Sequence, residues 1–230
     1  MATYVLVHGS FQGGWIWKPV AERLRAAGHL VYHPSLDGCG ERAYTLRPEI
    51  TLDTQGQEIA DLLFFNDLTE VILVGTSSGG MVIARAAESA RERIRRLVFI
   101  DALAPLPGET IAQINSRPLN KSGNLTYGLA PEEVAEKAFA GLPPEVRAWA
   151  VPRYTPHPLR ATEPPVDLQL FWSLPWQADV LCCTGSPVPP PAHQRRTAEA
   201  LKGSYQESEA GHYPMLSHVD FLTDYLLAKA

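Results

Sequence analysis

Cysteine is scarce in this chain: there are 3 in 230 residues, at Cys39, Cys182 and Cys183. The count is odd, and two of the three are neighbours that point to opposite faces of a strand. That gives no disulfide framework, and a reducing cytoplasm is the expected setting. Basic charge is short as well. Lys and Arg number 20 against 25 Asp and Glu, a formal net charge of −5, and the cations are scattered. A nucleic-acid partner is excluded on that ground. No apolar run approaches the ~18–20 residues needed to span a bilayer. The opening stretch MATYVLVHGS has no basic leader before its first strand, so neither a membrane protein nor a signal peptide is read here. Internal repeats are absent too. What the chain does have is a 45% hydrophobic composition, enough for one domain with a sizeable core.

Apolar runs and helical spacings alternate along that chain. Strands are predicted at Tyr4–His8, Leu30–His33, Glu70–Gly75, Leu97–Asp101, Asp179–Thr184 and near Tyr205. Helices are predicted at Trp17–Ala27, Thr54–Leu63, Ser77–Arg91, Pro191–Leu201 and Val219–Ala228. This alternation specifies an α/β fold, a mostly parallel sheet with helices on both faces. Between Leu103 and Gln177 it stops. That segment is rich in proline, carries Trp149, Trp172 and Trp176, and shows helical stretches at Pro131–Ala140 and Pro144–Val151. A structureless loop of such length does not fit a compact domain. It reads as a short helical lid, residues 104–177, above the carboxyl ends of the strands of a core formed by 1–103 and 178–230.

Two adjacent serines stand out in VILVGTSSGGM, Val71–Met81. A strand-to-helix elbow that exposes a nucleophilic serine needs glycine two residues before and two after it. Gly75 and Gly79 satisfy this for Ser77, whereas Ser78 has Thr76 before it. Ser77 is therefore the candidate nucleophile, and Ser78 would lend its backbone N–H to an oxyanion hole, its side chain being incidental. A phosphate-binding turn is the competing reading, but no lysine follows as a P-loop requires. The loop after the first strand, VHGSFQGGW, can bring a second N–H, that of Ser10, close to a reacting carbonyl. His8 in that loop reads as an organiser. His212, in SEAGHYPMLSHVD, follows a glycine late in the chain, and an imidazole suits proton transfer at neutral pH. His218 reads as a cap or surface residue.

Four stretches, VLVHGSFQGGWIWKPVAERLRAAGH, VILVGTSSGG, VFIDALAP and GHYPMLS, together resemble the plant methylesterase and hydroxynitrile lyase branch of the α/β-hydrolases and its bacterial ester, amide and carbamate hydrolase relatives. The resemblance implies that fold, with the lid after the family's sixth strand. It also implies Ser77 as nucleophile, His212 as base, and oxyanion donors at Ser10 and Ser78. One member is missing. The family carries its aspartate where this chain, in CCTGSPVPPPAHQRR, has Ser186. Asp179 belongs to the far end of its strand, on the order of 15 Å away at ~3.3 Å per residue. Asp101 ends the strand beside that of the nucleophile and is the candidate acid. A Ser–His dyad assisted by Ser186 or water is the alternative.

Phe11, Trp15, Tyr213 and Met215 flank these loops and are candidates for an apolar substrate pocket. Trp17 flanks them too, and packing in the core is at least an equal reading for Trp15 and Trp17 individually. Lyases of the branch hold a lysine soon after the histidine and a threonine after the first strand. Tyr213 and Ser10-Phe11 occupy those places here, which argues against cyanohydrin cleavage. The reading is thus a serine hydrolase for a small-to-medium apolar ester, amide or carbamate, without metal or cofactor, as monomer or homodimer. A lyase or cyclase using His212 as base, and a receptor with vestigial chemistry, are the alternatives.

Overall fold

A computed structural model describes all residues, Met1–Ala230. Six parallel strands form one sheet in the order β2-β1-β3-β4-β7-β8: β1 Thr3–Val7, β2 Leu30–Tyr32, β3 Val71–Ser77, β4 Ile94–Ala102, β7 Ala178–Cys183 and β8 Ser204–Ser208. Successive strand residues serve opposite faces. Tyr4 and Leu6 join one buried cluster, with α1 (Lys18–Ala26), α8 (Pro214–Ser217) and α9 (Val219–Leu227). Val5 and Val7 join the other, with α2 (Leu52–Phe65), α3 (Gly79–Ala90) and α7 (Pro191–Leu201). Local chemistry sets the helix starts. Pro19 lies in the first turn of α1. Thr51 caps α2 by accepting the Thr54 N–H, while the Thr54 side chain answers the Thr51 N–H.

The chain runs outward from β1 to β2, then returns to the other side of β1 to form β3. The crevice between β1 and β3 is therefore the switch point of the sheet, where α/β proteins bind ligands at the carboxyl ends of the strands. The Ser10 and Ser77 loops leave those two strands.

Between β4 and β7 lie α4 (Ile111–Ile114), a small antiparallel pair of β5 (Thr126–Tyr127) and β6 (His157–Pro158), α5 (Pro144–Ala150) and α6 (Gln169–Ser173). Counted along this chain the segment follows the fourth strand, not the sixth. It is also less free-standing than a cap: Phe139 and Phe171 are fully buried, one in each core cluster. The predicted Pro131–Ala140 helix is instead a 3-10 turn, Pro131–Glu133, followed by a π-turn, Val134–Ala138. The wider turn brings both Val134 and Phe139 to the core, and the Phe139 N–H reaches the Val134 carbonyl at 3.1 Å.

Asp179 is the second residue of β7, which starts one residue before the predicted strand. Its carboxylate is buried at the amino end of the sheet, 2.5 Å from Arg96 Nη1 and 2.8 Å from Lys229 Nζ. Burial alone would raise its pKa, but hydrogen bonds from Lys229, Ser204 and Arg96 together hold it below the ordinary carboxylate value. A depressed carboxylate stabilises the fold above its unfolded pKa, near ~3.9, and that stability disappears as pH falls through the folded value. Thermal melts of the wild type should therefore lose stability below about pH 4 more steeply than those of Asp179→Asn, a difference that vanishes if this carboxylate is not linked to folding.

Candidate active site

Ser77 is the last residue of β3 and sits at φ 52°, the left-handed region that non-glycine residues avoid. α3 starts at Gly79, two residues later than predicted, so the strained serine belongs to the strand end. The flanking glycines are there for space. A Cβ on Gly75 would stand 2.6 Å from the Gly79 carbonyl oxygen, and one on Gly9 would stand 2.5 Å from Ser77 Cβ. The β1 loop thus presses directly on the serine.

That loop is braced from within. His8 is fully buried; its Nδ1 donates to the Gly9 carbonyl at 2.7 Å, and its Nε2 accepts the Leu36 N–H at 3.0 Å. Burial pushes its pKa down to about 4, so it stays neutral and structural. Gln12 Oε1 accepts the Gly9 N–H at 3.2 Å. Phe11 turns the chain at φ 71°. The backbone N–H groups of Ser10 and Ser78 carry no hydrogen bond to the protein. Their hydroxyls meet at 2.8 Å, so the Ser78 side chain is not incidental: it ties the two loops together. Tyr127, from β5, extends the chain by bonding Ser10 Oγ, and burial lifts its phenol pKa to about 12.

Asp101 reaches the site through a slip in the sheet. Thr76 pairs with Ile100 but Ser77 pairs with Ala102, leaving Asp101 as the extra residue, at φ 44°. Such a bulge re-aims a side chain. The carboxylate is fully buried. Oδ2 lies 2.6 Å from His212 Nδ1, while Oδ1 accepts from the Cys183 N–H at 3.1 Å and from Gln194 Nε2 at 2.7 Å. Gln194 is itself fully buried, on α7.

Ser77, Ser78, Ser10 and His212 all border one cavity of about 400 Å³. Ser77 and His212 border this cavity without a hydrogen bond between them; the ring's bond is to Asp101. Phe11 and Tyr213 line the cavity; two other candidates do not. Met215 is fully buried in the cluster of α1, α8 and α9, because α8 turns it inward. Trp15 packs edge-on against Trp149 and Phe139, away from the cavity. Ser186 borders the cavity, yet its hydroxyl donates to the Val188 carbonyl at 2.8 Å and does not bond His212. The remaining buried imidazoles are structural: burial lowers His157 to about 3 and His193 to about 4, and His193 Nε2 accepts the Ala104 N–H. His218 is exposed. No group of three or more His, Cys, Asp or Glu side chains is arranged to hold a metal ion. No helix is long and apolar enough to cross a membrane.

A model of one family, the alpha/beta hydrolase family, matches the chain over residues 4–224. The chain belongs to it. Among curated relatives of this α/β-hydrolase, the carbendazim hydrolyzing esterase of Nocardioides sp. (strain SG-4G) is 40% identical over 119 residues, covering 52% of this chain and 49% of that one. Salicylic acid-binding protein 2 of Nicotiana tabacum is 32% identical over 180 residues, covering 74% of this chain and 65% of the other. The matches thus span from about half to just under two thirds of those relatives' length. The fold extends further. An extracellular alpha/beta-hydrolase from a Paenibacillus species superposes with a TM-score of 0.84 at 24% identity, over 99% of this chain and 98% of that one.

Sequence reasoning missed Tyr127 and Gln194. Tyr127 lies in a two-residue strand inside the irregular segment and has no periodic signal. Gln194 could have been suspected: it sits in the helix that follows the missing aspartate, where a new acid would need support.

Proposed function

We propose that this α/β-hydrolase is a cofactor-free serine hydrolase for small-to-medium esters, with amides and carbamates as further substrates. The single observation that carries the reading is the 2.6 Å pair of His212 and buried Asp101 at the rim of the cavity that Ser77 borders. Ser77 Oγ attacks the carbonyl carbon as His212 Nε2 takes its proton; Asp101 holds the Nδ1 proton and balances the imidazolium. The Ser10 and Ser78 N–H groups receive the oxyanion. The tetrahedral centre collapses, and the leaving alcohol departs with the proton from His212. Water, deprotonated by the same ring, then cleaves the acyl-enzyme to acid and free Ser77. The segment between β4 and β7 acts as the lid, supplying the far wall of the cavity. The esterase names of the relatives support the ester class, and Tyr213, where lyases of the resembling branch hold lysine, supports hydrolysis.

The test is labelling of the wild type by a fluorophosphonate together with turnover of p-nitrophenyl butyrate. Saturable ester binding with neither labelling nor turnover would point to a receptor and overturn the proposal.

Gln194 serves this reaction as a positioning residue, because it fixes the carboxylate that orients the ring. A hydrogen bond to a charged group is worth ~1.5–3 kcal/mol net, so Gln194→Leu should lower kcat by about 10-fold to 100-fold while KM changes little. Gln194→Leu removes one buried orphan, Gln194 Oε1, but also the two Nε2 bonds to Asp101 Oδ1 and the Pro189 carbonyl, so a thermal melt should show a moderate loss of stability with the fold kept. The acid limb of the kcat/KM profile should move to higher pH, since an undamped Asp101 carboxylate favours the imidazolium. An unchanged profile with unchanged kcat would dismiss this role.

A further inference from the structure

The cavity wall carries charge of one sign. Arg117 and Lys137 line it, and no Asp or Glu does, in a chain whose formal net charge is −5. Lys137 is answered by Glu133, one helical turn before it, and that pair is exposed. Arg117 has no carboxylate within ion-pair distance.

The loop that presents Arg117 is held at both ends. Before it, Ile111 is buried in the core cluster of α2 and α3, and Leu119 packs against the same cluster after it. Asn120 then bonds Gly128 twice, Nδ2 donating to the carbonyl and the Gly128 N–H to the Asn120 carbonyl, each at 2.8 Å. Ser116 turns the chain immediately before the arginine at φ 52°. Beside it, Asn115 borders the cavity with a buried Oδ1 that has no partner. These contacts hold the backbone at Arg117 in place, and its exposed side chain reaches the cavity from the rim.

We propose that the natural substrate carries a carboxylate besides its scissile ester, and that Arg117 binds this carboxylate while the ester carbonyl sits at Ser77. The inference rests on the serine-hydrolase reading and deepens it. A wholly apolar ester would leave the Arg117 cation with no counter-charge in a cavity that has no carboxylate of its own. A carboxylate offers the guanidinium two parallel hydrogen bonds. The apolar side chains of Ile111, Leu119 and Leu103 border the same cavity and suit a hydrocarbon linker joining the two polar ends.

Two matched pairs test it: mono-p-nitrophenyl glutarate against p-nitrophenyl valerate, with the charge on the acyl side, and 4-(butyryloxy)benzoate against 4-(butyryloxy)benzamide, with the charge on the alcohol side. In at least one pair the charged member should show a kcat/KM about tenfold higher, expressed mainly in KM, the lower end of what a hydrogen bond to a charged group provides. That ratio should fall at least fivefold in Arg117→Gln, an exposed position where the fold is not at stake, and should shrink as salt rises. Preference for the neutral member in both pairs, or a preference untouched by Arg117→Gln, overturns the inference while leaving the hydrolase reading standing. Failure of all four esters together with an unlabelled Ser77 would show that the hydrolase reading itself is wrong, and this inference with it.

Discussion

Ser77→Ala and Ser77→Gly should both abolish fluorophosphonate labelling and lower ester turnover by on the order of 10⁵–10⁶, the loss found when a triad serine is removed. The two variants should then part in stability. At φ 52° position 77 pays the steric penalty of the left-handed region with any side chain that has a Cβ. That penalty is roughly 1–2 kcal/mol, and glycine is spared it. Glycine also gives the unfolded chain more freedom, which returns about 0.4–1 kcal/mol of the gain. A net advantage of about 0.5–1 kcal/mol over the alanine variant is expected, or roughly 1–4 °C in Tm for a domain of this size. Calorimetry on the two inactive proteins reads the strain separately from the chemistry. Equal melting temperatures would mean that the elbow is not strained, and retained labelling in Ser77→Ala would mean that another residue is the nucleophile.

The same strain explains what could be read from the sequence and what could not. Strand and helix alternation is written in residue spacing, so the sheet, its flanking helices and the elbow at Gly75–Gly79 were legible, with boundaries drifting by two or three residues. The end of β3 drifted because Ser77 continues the strand pairing while already in the left-handed region, a conformation no propensity announces. Asp101 was legible as a candidate from its strand and its place beside β3, but its aim depends on a one-residue slip in pairing that only three-dimensional register reveals. Met215 misled because chain proximity to His212 suggested the cavity, while the short helix α8 turned it into the core. Tyr127 and Arg117 were illegible for a different cause. The segment that holds them follows neither the two-residue nor the 3.6-residue period, so nothing in its pattern says which side faces the serine.

Asp101→Asn is the second decisive substitution, and its geometry makes the expected effect severe. The amide is nearly the same shape as the carboxylate, so the fold should be retained. Its orientation, however, is dictated by the donors around it. The Cys183 N–H and Gln194 Nε2 both point at the Oδ1 position and will accept only the amide oxygen there. Gln194 cannot turn its own oxygen inward cheaply, because its Nε2 also donates to the Pro189 carbonyl at 3.1 Å, and a backbone N–H cannot turn at all. The asparagine NH₂ must then face His212 Nδ1, which has to accept from it, and the ring proton moves to Nε2. In that tautomer the imidazole presents a donor to Ser77 and cannot take its proton. A kcat loss of about 10⁴ at neutral pH is expected, the scale set when a triad acid is replaced by its amide in a serine protease. Binding of a non-hydrolysable ester analogue should change little, since the carboxylate does not border the cavity. A variant keeping more than a tenth of wild-type kcat would instead make the site a Ser–His dyad and leave Asp101 as a structural member of the bulge.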